Sequence, residues 1–167
     1  MKPSNIITFA VILLVAIVGV IFVSNGKSNP TPNTQSASIL SVLENSFDFG
    51  TISMKNGDVS KVFAVKNEGS EPVVINKVYT SCMCTVAKIT SASGETEGPF
   101  GMPGHGGAAS KASIEIKAGE TVQVEAIFNP AAHGPSGVGL ANRTVYLETN
   151  STQTPKVELD FTAIVTN

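Results

Sequence analysis

Between Ile6 and Val23 the chain runs for 18 residues without a charge, and only Thr8 is polar. Coiled as a helix this run is about 27 Å long, close to the hydrocarbon thickness of a bilayer. Lys2 makes a short basic start, so a cleaved secretory signal is the rival reading. Signal cores are shorter, about 7–15 residues, and end in a small-x-small cleavage site. Here the run exits through Ser24-Asn25-Gly26-Lys27 with no Ala-x-Ala pattern, and no nearby cysteine offers a lipid anchor. The expectation is an uncleaved anchor over residues 1–25 with its transmembrane helix at about 6–23; secretion after cleavage is the alternative. Lys2 before the span and Lys27 after it favour an N-in orientation only slightly. Either export route leaves the rest of the chain outside the cytoplasm, so the expected location is the plasma (inner) membrane, with a single pass and an extracytoplasmic C-terminal domain.

Residues 26–41 follow as an expected flexible tether. From Gly26 to Ser38 the chain is almost devoid of apolar residues and offers little surface to offset the entropy of ordering. Beyond it, residues 42–167 change character. Val59–Val65, Thr121–Phe128, Arg143–Thr149 and Lys156–Val165 alternate apolar and polar residues, which places one side of each strand in a core. Phe47–Ile52, Pro72–Val78, Thr85–Ile89 and Ser113–Lys117 are further strand-like segments, and Asn56-Gly57, Glu68-Gly69 and Ala118-Gly119 supply turns. No sustained helical period follows the tether. The predicted fold class is all-β: an immunoglobulin-like antiparallel β-sandwich of about seven to eight strands, with a Gly-rich insertion at about 90–112.

Charge and motif content narrow the function classes. Residues 42–167 carry nine basic and thirteen acidic residues, a net charge of −4, so there is no basic footprint for nucleic acid. The six glycines between Gly94 and Gly107 lack the strand–loop–helix context and the Gly-Lys-Ser/Thr of a phosphate cradle. No nucleophile elbow gathers the serines, histidines and carboxylates, and Glu115, Glu125 and Glu158 alternate outward on strands. The expectation is therefore a non-enzymatic module, held to the membrane by its helix and binding an extracytoplasmic protein partner or supporting an envelope assembly.

Several phrases occur in a recognisable order: Phe47-Asp-Phe-Gly-Thr-Ile52, Val65-Lys-Asn-Glu-Gly69, Pro72-Val-Val-Ile75, Thr80-Ser-Cys-Met-Cys-Thr85, Lys117-Ala-Gly-Glu120, Val124-Glu-Ala-Ile-Phe-Asn-Pro130 and Val145-Tyr-Leu-Glu-Thr-Asn150. Over roughly residues 44–166 the chain resembles the bacterial "domain of unknown function 1573" family, which is related to Hydin-like and PapD-like immunoglobulin domains. The resemblance implies an immunoglobulin-like sandwich in an exported protein and carries no established activity. One departure stands out: in the family the Cys-x-Cys position is followed fairly soon by the next strand, whereas here the Gly-rich insertion intervenes.

Cys82 and Cys84 flank Met83. On an extended backbone residues i and i+2 point to the same side, so both sulfurs would converge on one ligand. Paired thiolates suit soft ions, Cu(I) above all, and Met and His complete such sites. Met102 and His105 come from the insertion, and His133 from the loop Asn129–Gly139; these are the chain's only two histidines. If the segments near 113–117 and 121–128 are antiparallel neighbours, both loops emerge at one end of the sandwich, with the cysteines about 17 Å away along Thr85–Ile89. Two other readings of the pair stay open. The cysteines are a structural element, either buried small hydrophobes or a reducible disulfide closing an eleven-membered ring, or they exchange thiols with a redox partner.

Overall fold

The computed structural model describes residues 35–105 and 111–167. The expected membrane helix at 6–23, the tether as far as residue 34 and part of the insertion lie outside the described residues. Among the described residues no helix is long and apolar enough to cross a membrane.

Ten strands follow in chain order: β1 (Leu40–Val42), β2 (Ser46–Ser53), β3 (Val59–Asn67), β4 (Val73–Thr80), β5 (Thr85–Thr90), β6 (Thr96–Phe100), β7 (Lys111–Ile116), β8 (Thr121–Phe128), β9 (Gly139–Thr149) and β10 (Lys156–Thr166). They form two five-stranded sheets, β1-β3-β8-β5-β6 and β2-β10-β9-β4-β7. The all-β sandwich is as predicted, but the count of seven to eight strands is corrected to ten. The two additions are the segments that alternation does not reveal. β1 has three residues, and β6 is Thr-Glu-Gly-Pro-Phe with only Phe100 buried. The antiparallel expectation also has one exception, since β2 pairs with β10 in parallel.

The alternating residues meet between the sheets. Phe161 on β10 is fully buried, with its ring 5.4 Å from Phe49 and 5.5 Å from Phe128. Burial of one such side chain stabilises by about 1.5–3 kcal/mol. Most outward positions of the same strands are polar, so a one-residue slip would expose the inner side.

The tether boundary also shifts. Ser36 and Ser38 are buried, Leu40 belongs to β1, and the expected domain start at residue 42 falls inside that strand. Small hydroxyls bury cheaply when each finds a backbone partner. Ser38 Oγ donates to Glu71 O at 2.8 Å, Glu71 N–H returns a bond to Ser38 Oγ at 2.9 Å, and Ser151 Oγ donates to Ser38 O. Composition alone read this stretch as solvated because it lacks apolar residues.

The condition that the segments near 113–117 and 121–128 be antiparallel neighbours is not met: β7 and β8 lie in opposite sheets. Their connection is gripped by Asn67 at the end of β3. This fully buried side chain donates to Ile116 O (2.9 Å) and Glu71 O (2.8 Å) and accepts from Gly69 N–H (3.0 Å). Each orphaned buried polar group costs about 1–3 kcal/mol. Asn67→Ala is therefore expected to lower the unfolding free energy by about 2 kcal/mol or more in urea titration, while Val62→Ala on the exposed side of β3 changes it by less than about 0.5 kcal/mol. Equal effects of the two substitutions would remove the assigned role of Asn67.

Candidate functional site

β4 and β5 are consecutive but lie in different sheets, so residues 81–84 must carry the chain from one sheet to the other. They do so in a tight turn closed by Thr85 N–H to Cys82 O (3.1 Å), with the Thr80 hydroxyl 3.0 Å from the carbonyl oxygens of both Cys82 and Thr85. Both sheets clamp the turn. From β9, Thr144 O accepts Ser81 N–H (3.0 Å) and Thr144 N–H donates to Ser81 Oγ (2.9 Å); past the end of β8, Asn129 N–H donates to Cys84 O (2.9 Å).

Cys82 and Cys84 therefore sit in a turn, which corrects the extended-strand argument for their convergence. The turn folds their Cα atoms to 5.3 Å, and the sulfurs are joined as a disulfide. Among the described residues there is no free thiol. The two sulfurs differ in exposure: Cys82 is half-buried, Cys84 is 3% exposed, and Met83 at the tip is 53% exposed.

The loop after β8 folds as a run of local turns. Asn129 Oδ1 accepts Ala131 N–H (2.9 Å), Gly134 N–H reaches Ala131 O (2.9 Å), and Ser136 Oγ donates to His133 O (2.9 Å). The short 3-10 segment Gly134–Gly137 follows. This series brings His133 Nε2 to 3.3 Å from Cys82 Sγ. The Cys82, Cys84 and His133 donor atoms all lie within 4.8 Å of one another.

Arg143, the only arginine of the chain, completes the cluster and was missed as a site residue. Its Nε–H donates to Cys84 Sγ at 3.0 Å and its Nη1 to Asn142 O at 2.7 Å, with the guanidinium carbon 5.9 Å from the Phe128 ring centre. Burial pushes its pKa below the ordinary arginine range. The ion pairs among the described residues all use lysines, so this cation faces sulfur and not a carboxylate.

The remaining predicted ligands lie in the loop after β6. That strand pairs with β5 in a hairpin, with Ala87 opposite Phe100, and so returns the chain to the cysteine end; this corrects the 17 Å separation argued from Thr85–Ile89. Gly98 permits the return, because a Cβ there would stand 2.8 Å from Ala87 O. Thr80 N–H reaches Gly101 O (3.3 Å), and His105 N–H closes a turn onto Met102 O (3.2 Å). Met102 is half-buried and His105 is exposed; His105 is not part of the group that Cys82, Cys84 and His133 form.

The family described as "Protein of unknown function (DUF1573)" matches residues 40–98. That segment belongs to the DUF1573 family. It holds the cysteine turn but neither His133 nor Arg143, so the cluster joins the DUF1573 segment to β8, β9 and their loop. Among solved structures, the chain is similar to a protein of unknown function from Porphyromonas gingivalis W83, at 14% identity over 84% of this chain and 51% of that one, with a TM-score of 0.54. It thus spans about half the length of that protein. A family 123 glycoside hydrolase from Clostridium perfringens is similar at 9% identity over 79% of this chain and 27% of that one (TM-score 0.51). The ASH/PapD-like domain 7 of human CEP192 is similar at 14% identity over 82% and 92% (TM-score 0.47). Likeness at such identities concerns the fold alone. No curated protein matches the chain. The family description and the two-sheet topology together describe a β-sandwich domain of unknown function.

With the sulfurs joined, alkylation of the denatured, non-reduced chain is expected to label no cysteine, and prior reduction to expose two labelling sites by mass spectrometry. Two labelled cysteines without reductant would mean that the pair is not bonded.

Proposed function

We propose that the chain is a membrane-tethered, extracytoplasmic immunoglobulin-like module that docks an exported protein partner and catalyses no reaction of its own. The uncharged run at 6–23 supports the anchor. The observation that carries the docking reading is an apolar pair on the outside of the second sheet: Leu140 on β9 stands opposite Ile164 on β10, 72% and 51% exposed, with Val138 two residues before Leu140 and 46% exposed. The outer positions further along these strands are polar, as in Glu158 and Asp160. An apolar pair in such a setting is the pattern of a contact surface.

The test uses the full chain in detergent-solubilised envelope. A partner cross-linked to the wild type is expected to be lost by about tenfold or more in Leu140→Asp/Ile164→Asp and retained in Val62→Asp on the other sheet. Capture equal in all three, or no capture, overturns the docking reading. Membrane fractionation of the same material separates the anchored chain from a secreted, cleaved one.

A second reading is Cu(I) binding, favoured by the three donors within 4.8 Å. Once reduced, Cys82 and Cys84 supply two soft sulfurs and His133 an imidazole, a set suited to Cu(I). Titration of the reduced full chain against a chromophoric Cu(I) chelator is expected to show one equivalent bound. That binding should vanish in Cys82→Ser/Cys84→Ser, weaken about tenfold in His133→Ala and persist in His105→Ala. Binding that survives loss of both cysteines, or its absence from the wild type, overturns this reading.

A further inference from the structure

We infer that Cys82–Cys84 is an exchangeable disulfide, with Cys82 as the sulfur attacked by an incoming thiolate and Arg143 as the group that receives the Cys84 thiolate. The inference goes beyond docking and needs neither a partner bound at Leu140 nor a metal.

Three observations converge on it. First, access is one-sided. Cys82 is half-buried beside the exposed Met83 and His133, whereas Cys84 is 3% exposed, so a thiolate from solvent meets Cys82 alone. Second, the leaving sulfur already holds a cation. Arg143 Nε–H points at Cys84 Sγ from 3.0 Å, and the ion pairs among the described residues leave this guanidinium without a carboxylate. A part-buried cation facing a neutral disulfide is poorly compensated, and a thiolate at the same sulfur supplies the missing charge. Third, the turn is held by groups other than the sulfurs, namely Ser81 to Thr144 and Cys84 O to Asn129 N–H, so the sulfurs stay adjacent after reduction and can close again. A structural staple is a weaker account, because a cross-link two residues apart constrains the unfolded chain least of all.

The exchange balances with a dithiol as reductant. One thiolate of the dithiol attacks Cys82 Sγ, a new S–S bond forms there, and the Cys82–Cys84 bond breaks with its electron pair passing to Cys84 Sγ, opposite Arg143. The second sulfur of the dithiol then attacks the first, releasing the Cys82 sulfur and leaving the dithiol as a cyclic disulfide. Two electrons pass from the dithiol to the chain. The two protons that the dithiol loses go to solvent or to the released sulfurs.

The test follows reduction of the full chain in detergent by dithiothreitol, read by quenched alkylation and mass spectrometry. Arg143→Ala is expected to slow reduction about tenfold and Arg143→Lys to recover part of that loss, since a cation at the leaving sulfur lowers the cost of the developing thiolate. A second measurement stands even if Arg143→Ala fails to fold. With glutathione disulfide, the lone Cys82 of Cys84→Ser is expected to form the mixed disulfide at least about tenfold faster than the lone Cys84 of Cys82→Ser. A folded Arg143→Ala chain reduced as fast as the wild type overturns the role of Arg143. Equal reactivity of the two single cysteines overturns the exchange reading as a whole.

Discussion

The crossing from β4 to β5 is the constraint on which the arrangement of the candidate site depends. Consecutive strands in opposite sheets must be linked across the end of the sandwich, and residues 81–84 leave no slack for it. The link is therefore pulled tight into a turn and bonded to both sheets, to β9 through Ser81 and to the end of β8 through Cys84 O. Those bonds also choose the neighbours of the cysteines. Because β5 pairs with β8 with Thr85 opposite Phe128, the loop leaving β8 starts at the turn and lays His133 beside Cys82. Because β4 pairs with β9 with Thr80 opposite Val145, Arg143 lies two residues beyond that pair, at the level of the sulfurs.

The same geometry separates two cysteines that are nearly adjacent in sequence. A strand would have placed both on one side and in one environment. The turn places its second and fourth positions at different depths, so Cys82 meets the loop while Cys84 joins the hydrophobic core as a small hydrophobe would. The asymmetry in exposure, and the asymmetry in partners with imidazole on one sulfur and guanidinium on the other, follow from backbone shape and not from the cysteines themselves.

Much of the fold was legible because burial imposes a period of two on any strand with one covered side. Four strands showed it in phrases such as Thr121–Phe128, and four more were visible as short apolar or β-rich segments bounded by turn residues. β1 and β6 were not, the first being too short to show a period and the second having Gly and Pro with little burial. Ser36 and Ser38 were hidden for another reason: their burial rests on hydroxyl-to-backbone bonds that composition does not encode. At the site the cysteines were visible as a spacing, but not which histidine would reach them, since that depends on pairing between strands distant in sequence. Arg143 was the readable signal left unread. It shares the parity of Ala141, Val145 and Leu147 on β9, all of them buried, so the chain's only arginine stood at an inward position. A charged residue in phase with a core stripe asks for a partner.

The sandwich has two ends, and the chain uses them differently. Ser36 bridges to Ser151, just past the end of β9, so the described N-terminal segment enters the domain there. Arg143 lies about eight residues back along the same chain, or about 25 Å at the rise of an extended strand. The cysteine turn, the His133 loop and the loop carrying Met102 thus gather at the end opposite to chain entry. The entry end is closed by paired serines and by the Asn67 grip, whose hydroxyls and amide are spent on backbone groups. The far end instead holds a polarisable sulfur pair, an imidazole and a guanidinium that forms no ion pair among the described residues. Stability and reactivity are thereby placed at opposite ends of one hydrophobic core, so changes in the bonding state of the sulfurs need not disturb the contacts by which the chain enters the fold.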